Sequence, residues 1–231
     1  MRKIPLLLLS ISVLGLPYEA RGQQYQDRRA ADLVTVHARV LNQSYCHVDD
    51  EAFTAFLDVR LEFTNSSSKP VILARKIEAP IIRVARNVEA GQKNEFLYAP
   101  DPHFAVATLP NAPPFGEKPA PKTFVILPPG ESFETVIQSG VIGANDAAMA
   151  TKGSGLLAKG SYVLQLGLIT WPYQWPWFSS NTKPEELTQR WSKWGNLATG
   201  LVHSDFTPFT LPEHFKNPPC PLPSKTRTES R

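Results

Sequence analysis

One stretch, FLDVRLEFTNSSSKPVILAR from Phe56 to Arg75, constrains what this chain can fold into more than any other. Leu57, Val59, Leu61 and Phe63 alternate with Asp58, Arg60, Glu62 and Thr64. A period of two gives a strand with one dry and one wet face. Asn65 to Lys69 is a polar turn cluster, and Pro70 opens the next strand, where its missing N–H costs least. Val71, Ile72 and Leu73 are then apolar on both faces, as a central strand requires.

Two later stretches repeat the pattern. In FVILPPGESFETVIQ, Pro128-Pro129-Gly130 breaks the chain between Phe124–Leu127 and Ser132–Gln138, both rich in β-branched and aromatic residues. In KGSYVLQLGLI, Lys159 to Ile169, the residues Tyr162, Leu164, Leu166 and Leu168 share one face. Further strands are expected at Val34–Val40, Ile81–Ala85 and Glu95–Tyr98, with Glu89 to Gln92 as a turn. Leu201-Val202 and Phe209–Leu211 read as a closing strand pair. Short alternating strands divided by Gly/Pro turns predict two packed sheets, here of seven to nine strands.

The run Leu127-Pro128-Pro129-Gly130-Glu131-Ser132, followed by Gly160-Ser161-Tyr162-Val163-Leu164, resembles the immunoglobulin-like sandwich domains of exported bacterial proteins. The resemblance covers roughly Thr35 to Ile169 plus a final strand near Phe209. It implies an all-β, immunoglobulin-like antiparallel sandwich, to which the residues themselves add a long Pro-rich connection and a Trp-rich insertion containing one short helix. It also implies a tyrosine corner at Tyr162, whose hydroxyl would bond back to nearby backbone. Inhibitor, adhesion and structural modules share such folds, so the resemblance names no activity.

The N-terminus has the form of a cleavable signal peptide. Met1-Arg2-Lys3 is positive, Ile4 to Leu16 is apolar, and Ala20-Arg21-Gly22 supplies small residues for cleavage before Gln23. The expected organisation is a signal at 1–22, a disordered segment at 23–33, one sandwich domain at 34–214 and a Pro-rich, basic tail at 215–231. Insertions are expected at 100–121, which holds seven prolines, at 139–158 and at 171–200. A secreted or periplasmic protein follows, a monomer with no transmembrane segment after cleavage. Removing Arg2, Lys3, Arg21 and Glu19 leaves 21 basic against 20 acidic side chains, which gives no electrostatic reason to expect nucleic acid.

Cys46 and Cys220 are the only cysteines, and in an oxidising compartment they read as one disulfide. His47, Asp49 and Asp50 are the best concentration of metal-type ligands, although a solvated acidic loop is the favoured reading of that stretch. No cofactor is expected.

All five tryptophans lie within TWPYQWPWFSSNTKPEELTQRWSKWGNL. Its second half predicts a helix within Lys183–Trp194, with Asn181 or Thr182 as cap, Glu185 and Glu186 favouring the dipole, and Gly195 as stop. Leu187, Trp191 and Trp194, at i, i+4 and i+7, are expected to pack inward. Trp171, Tyr173, Trp175 and Trp177 form a candidate aromatic surface, set against the alternative that this loop closes over the helix as a satellite core.

The sequence therefore points to an exported, non-catalytic structural or binding module. One alternative is a carbohydrate- or peptide-binding module using the Trp-rich insertion. Another is a hydrolase or metal-dependent enzyme without a recognisable motif.

Overall fold

The computed structural model describes residues 29–50, 52–100, 115–146, 148, 150, 155–171, 184–212 and 220. Most of the described chain is antiparallel β-structure, arranged as a sandwich with no closed barrel. The elements in order are α1 (Arg29–Leu33), β1 (Val34–His47), β2 (Ala52–Asn65), β3 (Val71–Ala74), β4 (Glu78–Ala85), α2 (Val88–Gln92) and β5 (Phe96–Tyr98). They continue as β6 (Phe124–Leu127), β7 (Ser132–Ala144), β8 (Gly160–Ile169), α3 (Pro184–Arg190), β9 (Asn196–Leu197), β10 (Leu201–His203) and β11 (Thr207–Leu211).

Strand β2 is the middle of a three-stranded sheet, β1-β2-β7. Its alternation does what the sequence requires: Phe53, Ala55, Leu57, Val59, Leu61 and Phe63 all enter the core. Strand β8 lies inside a five-stranded sheet, with β4 on one side and β10 and β11 along the other, and β5 pairs with the outer edge of β4. Its inward residues Tyr162, Leu164, Leu166 and Leu168 meet those of β2 in the same core. Each fully buried leucine in such a core contributes about 1.5–3 kcal/mol over its exposed state. β10 and β11 do not pair with each other as a closing hairpin. Both lie against β8, where Ser204 between them donates its amide to the Leu166 carbonyl at 2.9 Å and its Oγ accepts from the Leu166 amide at 3.0 Å.

A third sheet, β6-β3-β9, makes β3 central and leaves it apolar on both sides. Val71 and Leu73 face the main core, while Ile72 and Ala74 face a second, smaller one. The predicted polar turn after β2 is largely exposed apart from Asn65, whose buried side chain ties it together. Asn65 Nδ2 donates to the carbonyls of Lys69 and Leu127, both at 2.8 Å, and Oδ1 accepts from the Ser67 amide and hydroxyl. The buried amide is thus satisfied on both ends, the condition for a polar group to be tolerated there. It also binds the Asn65–Lys69 turn to the Pro128-Pro129-Gly130 turn, where Gly130 takes φ +79.

Asp205 ties the two larger sheets along one side. Its amide donates to Val36, its Oδ1 accepts from the Ala38 amide at 2.7 Å, and Oδ2 meets His37 Nδ1 at 3.0 Å. The Cys46–Cys220 disulfide is formed, with Cα atoms 4.6 Å apart across 174 residues of chain. The Cys220 amide also donates to the His47 carbonyl at 2.9 Å, so the tail returns to the edge of β1.

The elements depart from expectation in several places. Eleven strands and three short helices are present among the described residues, rather than seven to nine strands and one helix. The expected disordered segment ends in α1, where Ala30 is buried against the main core. Glu89 to Gln92 belongs to α2, capped by Asn87, whose side chain accepts from the Ala90 amide at 2.9 Å. The insertion expected from 139 begins as strand, since β7 stays paired with β2 as far as Ala144. In the same way β1 runs to His47, pairing with Phe53, so Tyr45, Cys46 and His47 lie on a strand and not in a loop. The long β2 supplies ladder bonds to both ends, and in β7 pairing overrides the poor strand preference of Ser139, Gly140 and Gly143.

Candidate functional site

The smaller core includes the described ends of the Trp-rich insertion, Trp171 before its undescribed stretch and Leu187, Trp191 and Leu197 after it. Trp171 follows β8 and is fully buried, Trp191 just after α3 is fully buried, and both pack on Phe124 and Phe115. Phe124 stacks on Trp171 with centroids 5.8 Å apart and meets Trp191 edge-on at 5.0 Å. Trp191 Nε1 donates to the Gly116 carbonyl at 3.0 Å, and Arg190 Nη1 donates to the Phe115 carbonyl at 2.9 Å. Ile72, Leu187 and Leu197 complete the cluster.

Trp171 therefore belongs to a core and cannot offer its ring to a ligand, which removes it from the candidate aromatic surface. Tyr173, Trp175 and Trp177 lie outside the described residues. Leu187 and Trp191 pack inward as the helical spacing predicts, whereas Trp194 is 38% exposed. The reason is that α3 ends at Arg190. The chain then tightens, with the Trp194 amide bonded to the Trp191 carbonyl three residues back, and the i+7 position leaves the inward face. Lys193 Nζ lies 5.6 Å from the Trp194 ring centre. Gly195 carries the chain into β9 at φ +150, and an added Cβ would stand 2.5 Å from the Pro70 carbonyl oxygen, so no other residue fits this junction.

At the β1–β2 turn, His47, Asp49 and Asp50 do not form a ligand set. Asp49 Oδ1 accepts from the Ala52 amide at 2.8 Å and so helps to shape the turn. Asp50 projects fully into solvent, with His47 Nε2 4.0 Å from its Oδ1. Among the described residues no group of three His, Cys, Asp or Glu side chains is placed to hold a metal ion. Tyr162 donates its hydroxyl to the Ala158 carbonyl at 2.7 Å, four residues back, and burial raises its pKa.

A second constellation lies on the outer face of the five-stranded sheet and has no motif in the sequence. Arg83 on β4 stands opposite Gln165 on β8, and His203 on β10 stands opposite Gly167 on β8. The inward neighbours Val84, Leu164, Leu166 and Val202 occupy the core, so strand parity turns Arg83, Gln165 and His203 outward. The Arg83 guanidinium lies 5.2 Å from the centre of the Phe96 ring. His203 Nε2 is buried without a hydrogen-bond partner among the described residues. Its pKa is lowered, first by burial and then by the charge of Arg83.

The sign of that shift sets a pH dependence. The unfolded imidazole, near 6.5, takes up its proton before the folded one as pH falls. The stability that His203 contributes is present above 6.5 and is lost as pH drops through its lower folded value. We expect the melting temperature to fall between about pH 7.5 and about pH 5, and to fall less in His203→Gln. Equal slopes in the two proteins would show that His203 is not held neutral.

Among the described residues no helix is long and apolar enough to cross a membrane. No family model, curated protein or solved structure matches the chain.

Proposed function

We propose that the protein is an exported, non-catalytic β-sandwich module that binds a polysaccharide or peptide through its 171–200 insertion. One observation carries the reading: both ends of the insertion are anchored in one aromatic cluster, Trp171 on one side and Leu187 and Trp191 on the other. Whatever the insertion presents is presented from a fixed base, and a fixed base lowers the entropic cost of binding. Trp194 adds a half-exposed indole at the edge of that base, and such rings stack on sugar or peptide faces over large areas.

Export is supported by the disulfide, which suits an oxidising compartment, and by the signal-like residues 1–22. The immunoglobulin-like reading is supported by the layout of two antiparallel sheets, β1-β2-β7 against β5-β4-β8 with β10 and β11. The test is sedimentation with insoluble cell-wall polysaccharide and binding to immobilised peptide arrays, using Trp194→Ala, Trp175→Ala and Trp177→Ala. A parent protein that binds one class, with a loss of roughly tenfold or more in at least one folded variant, is the expected result. A parent that binds neither class would leave a purely structural role. Unchanged binding in all three variants would move the site away from the insertion.

A further inference from the structure

We propose that the outer face of the five-stranded sheet holds an oxyanion between Arg83 and His203. The site is independent of the insertion, and no sequence motif announces it.

Two groups on this face lack the partner their chemistry calls for. Arg83 carries five N–H donors in a planar fork that matches a carboxylate or a phosphate. Among the described residues it meets no carboxylate; its guanidinium lies over the Phe96 ring at 5.2 Å, and the residue is half-buried. His203 Nε2 is buried and has no hydrogen-bond partner among the described residues. A buried polar atom without a partner costs stability, and natural proteins keep few of them. Two such cationic or donor groups on one face, with the negative partner missing, define a place that an anion completes.

The sheet brings them within reach. Their β8 partners, Gln165 and Gly167, are consecutive outward positions, so Arg83 and His203 flank β8 diagonally. Strand spacing of about 4.8 Å and a two-residue step of about 6.8 Å put their Cα atoms roughly 12 Å apart. The Arg83 guanidinium rests over Phe96 of β5, and its long side chain can swing back across β4 toward the imidazole, so that an oxyanion would be held between the two. The surroundings are shaped for it. Ile81 lies over Gly167 and forms an apolar wall, while Gln165 is held in place by its Nε2 bond to the Ser204 carbonyl at 3.2 Å. The Arg83 charge also disfavours a proton on His203, a repulsion that a bound anion would relieve.

The experiment follows the His203 ring by NMR in the full mature chain at constant ionic strength, with inorganic phosphate, acetate or chloride. Phosphate or acetate is expected to shift the ring signals saturably and to raise the pH at which His203 titrates, relative to chloride. Tighter binding of acetate assigns a carboxylate ligand, and the reverse assigns a phosphate. Arg83→Gln should weaken the response by roughly tenfold or more. Should that variant not fold, Arg83→Lys, which keeps the charge and loses the fork, is expected to weaken it as well. Shifts no larger than those in chloride, or shifts unchanged by the Arg83 variants, would overturn the site.

Discussion

Cys46→Ala combined with Cys220→Ala is expected to lower the unfolding free energy by about 5 kcal/mol. The bridge closes a loop of 174 residues, and the chain-entropy model assigns that loss of freedom in the unfolded chain a value of this size. A domain of ordinary stability holds about 5–15 kcal/mol in total, so the double variant should sit near the edge of folding. Urea unfolding checks it, with the midpoint falling steeply in the variant. The native loss has a local side too, because the bridge holds Cys220 where its amide bonds to His47 at the edge of β1. A midpoint within a few tenths molar of the parent would mean that the unfolded chain is already compact without the bridge.

The second large effect is Trp191→Ala, expected to cost about 3–5 kcal/mol, the range for removing a buried aromatic side chain. Trp191 is fully buried, packs edge-on against Phe124 and Phe115, and donates to the Gly116 carbonyl. Its loss leaves a cavity and an unbonded carbonyl together. Trp194→Ala, three residues on, should change stability by less than about 1 kcal/mol, since that ring is already partly in water. Melting of the two variants side by side measures the contrast.

The parts of this fold legible in the sequence are those where one physical signal is strong and local. The alternation in β2 and β8 placed Leu57, Val59, Leu61 and Phe63, and Tyr162, Leu164, Leu166 and Leu168, in the core, while Phe53 and Ala55 at the start of β2 lay before the run that was read. Val71 to Leu73 could be read as a central strand because β3 separates two cores and has no wet face at all. Other elements were hidden by long-range pairing. Ser139, Gly140 and Gly143 carry little strand preference, yet their register with Leu57, Phe56 and Phe53 holds them in β7. The parallel pairing of β9 with β3 has no local sign, while α2 had one in Asn87, a good cap.

The candidate sites divide in the same way. The clustering of tryptophans could be seen in the sequence, but which rings are dry depends on where α3 stops. Helical spacing alone sent Trp194 inward with Trp191. Arg83 and His203 lie far apart in the chain, and only the pairing of β4 and β10 with β8 sets them on one face.

The central claim is that the tryptophan-rich insertion has a buried base, formed by Trp171 and Trp191, from which Trp194 projects. Limited indole oxidation of the native protein, mapped residue by residue by mass spectrometry, tests it most directly. The account predicts rapid modification of Trp194, with Trp171 and Trp191 protected until the protein unfolds. Oxidation of Trp171 or Trp191 at the rate of Trp194 in the folded state would contradict it.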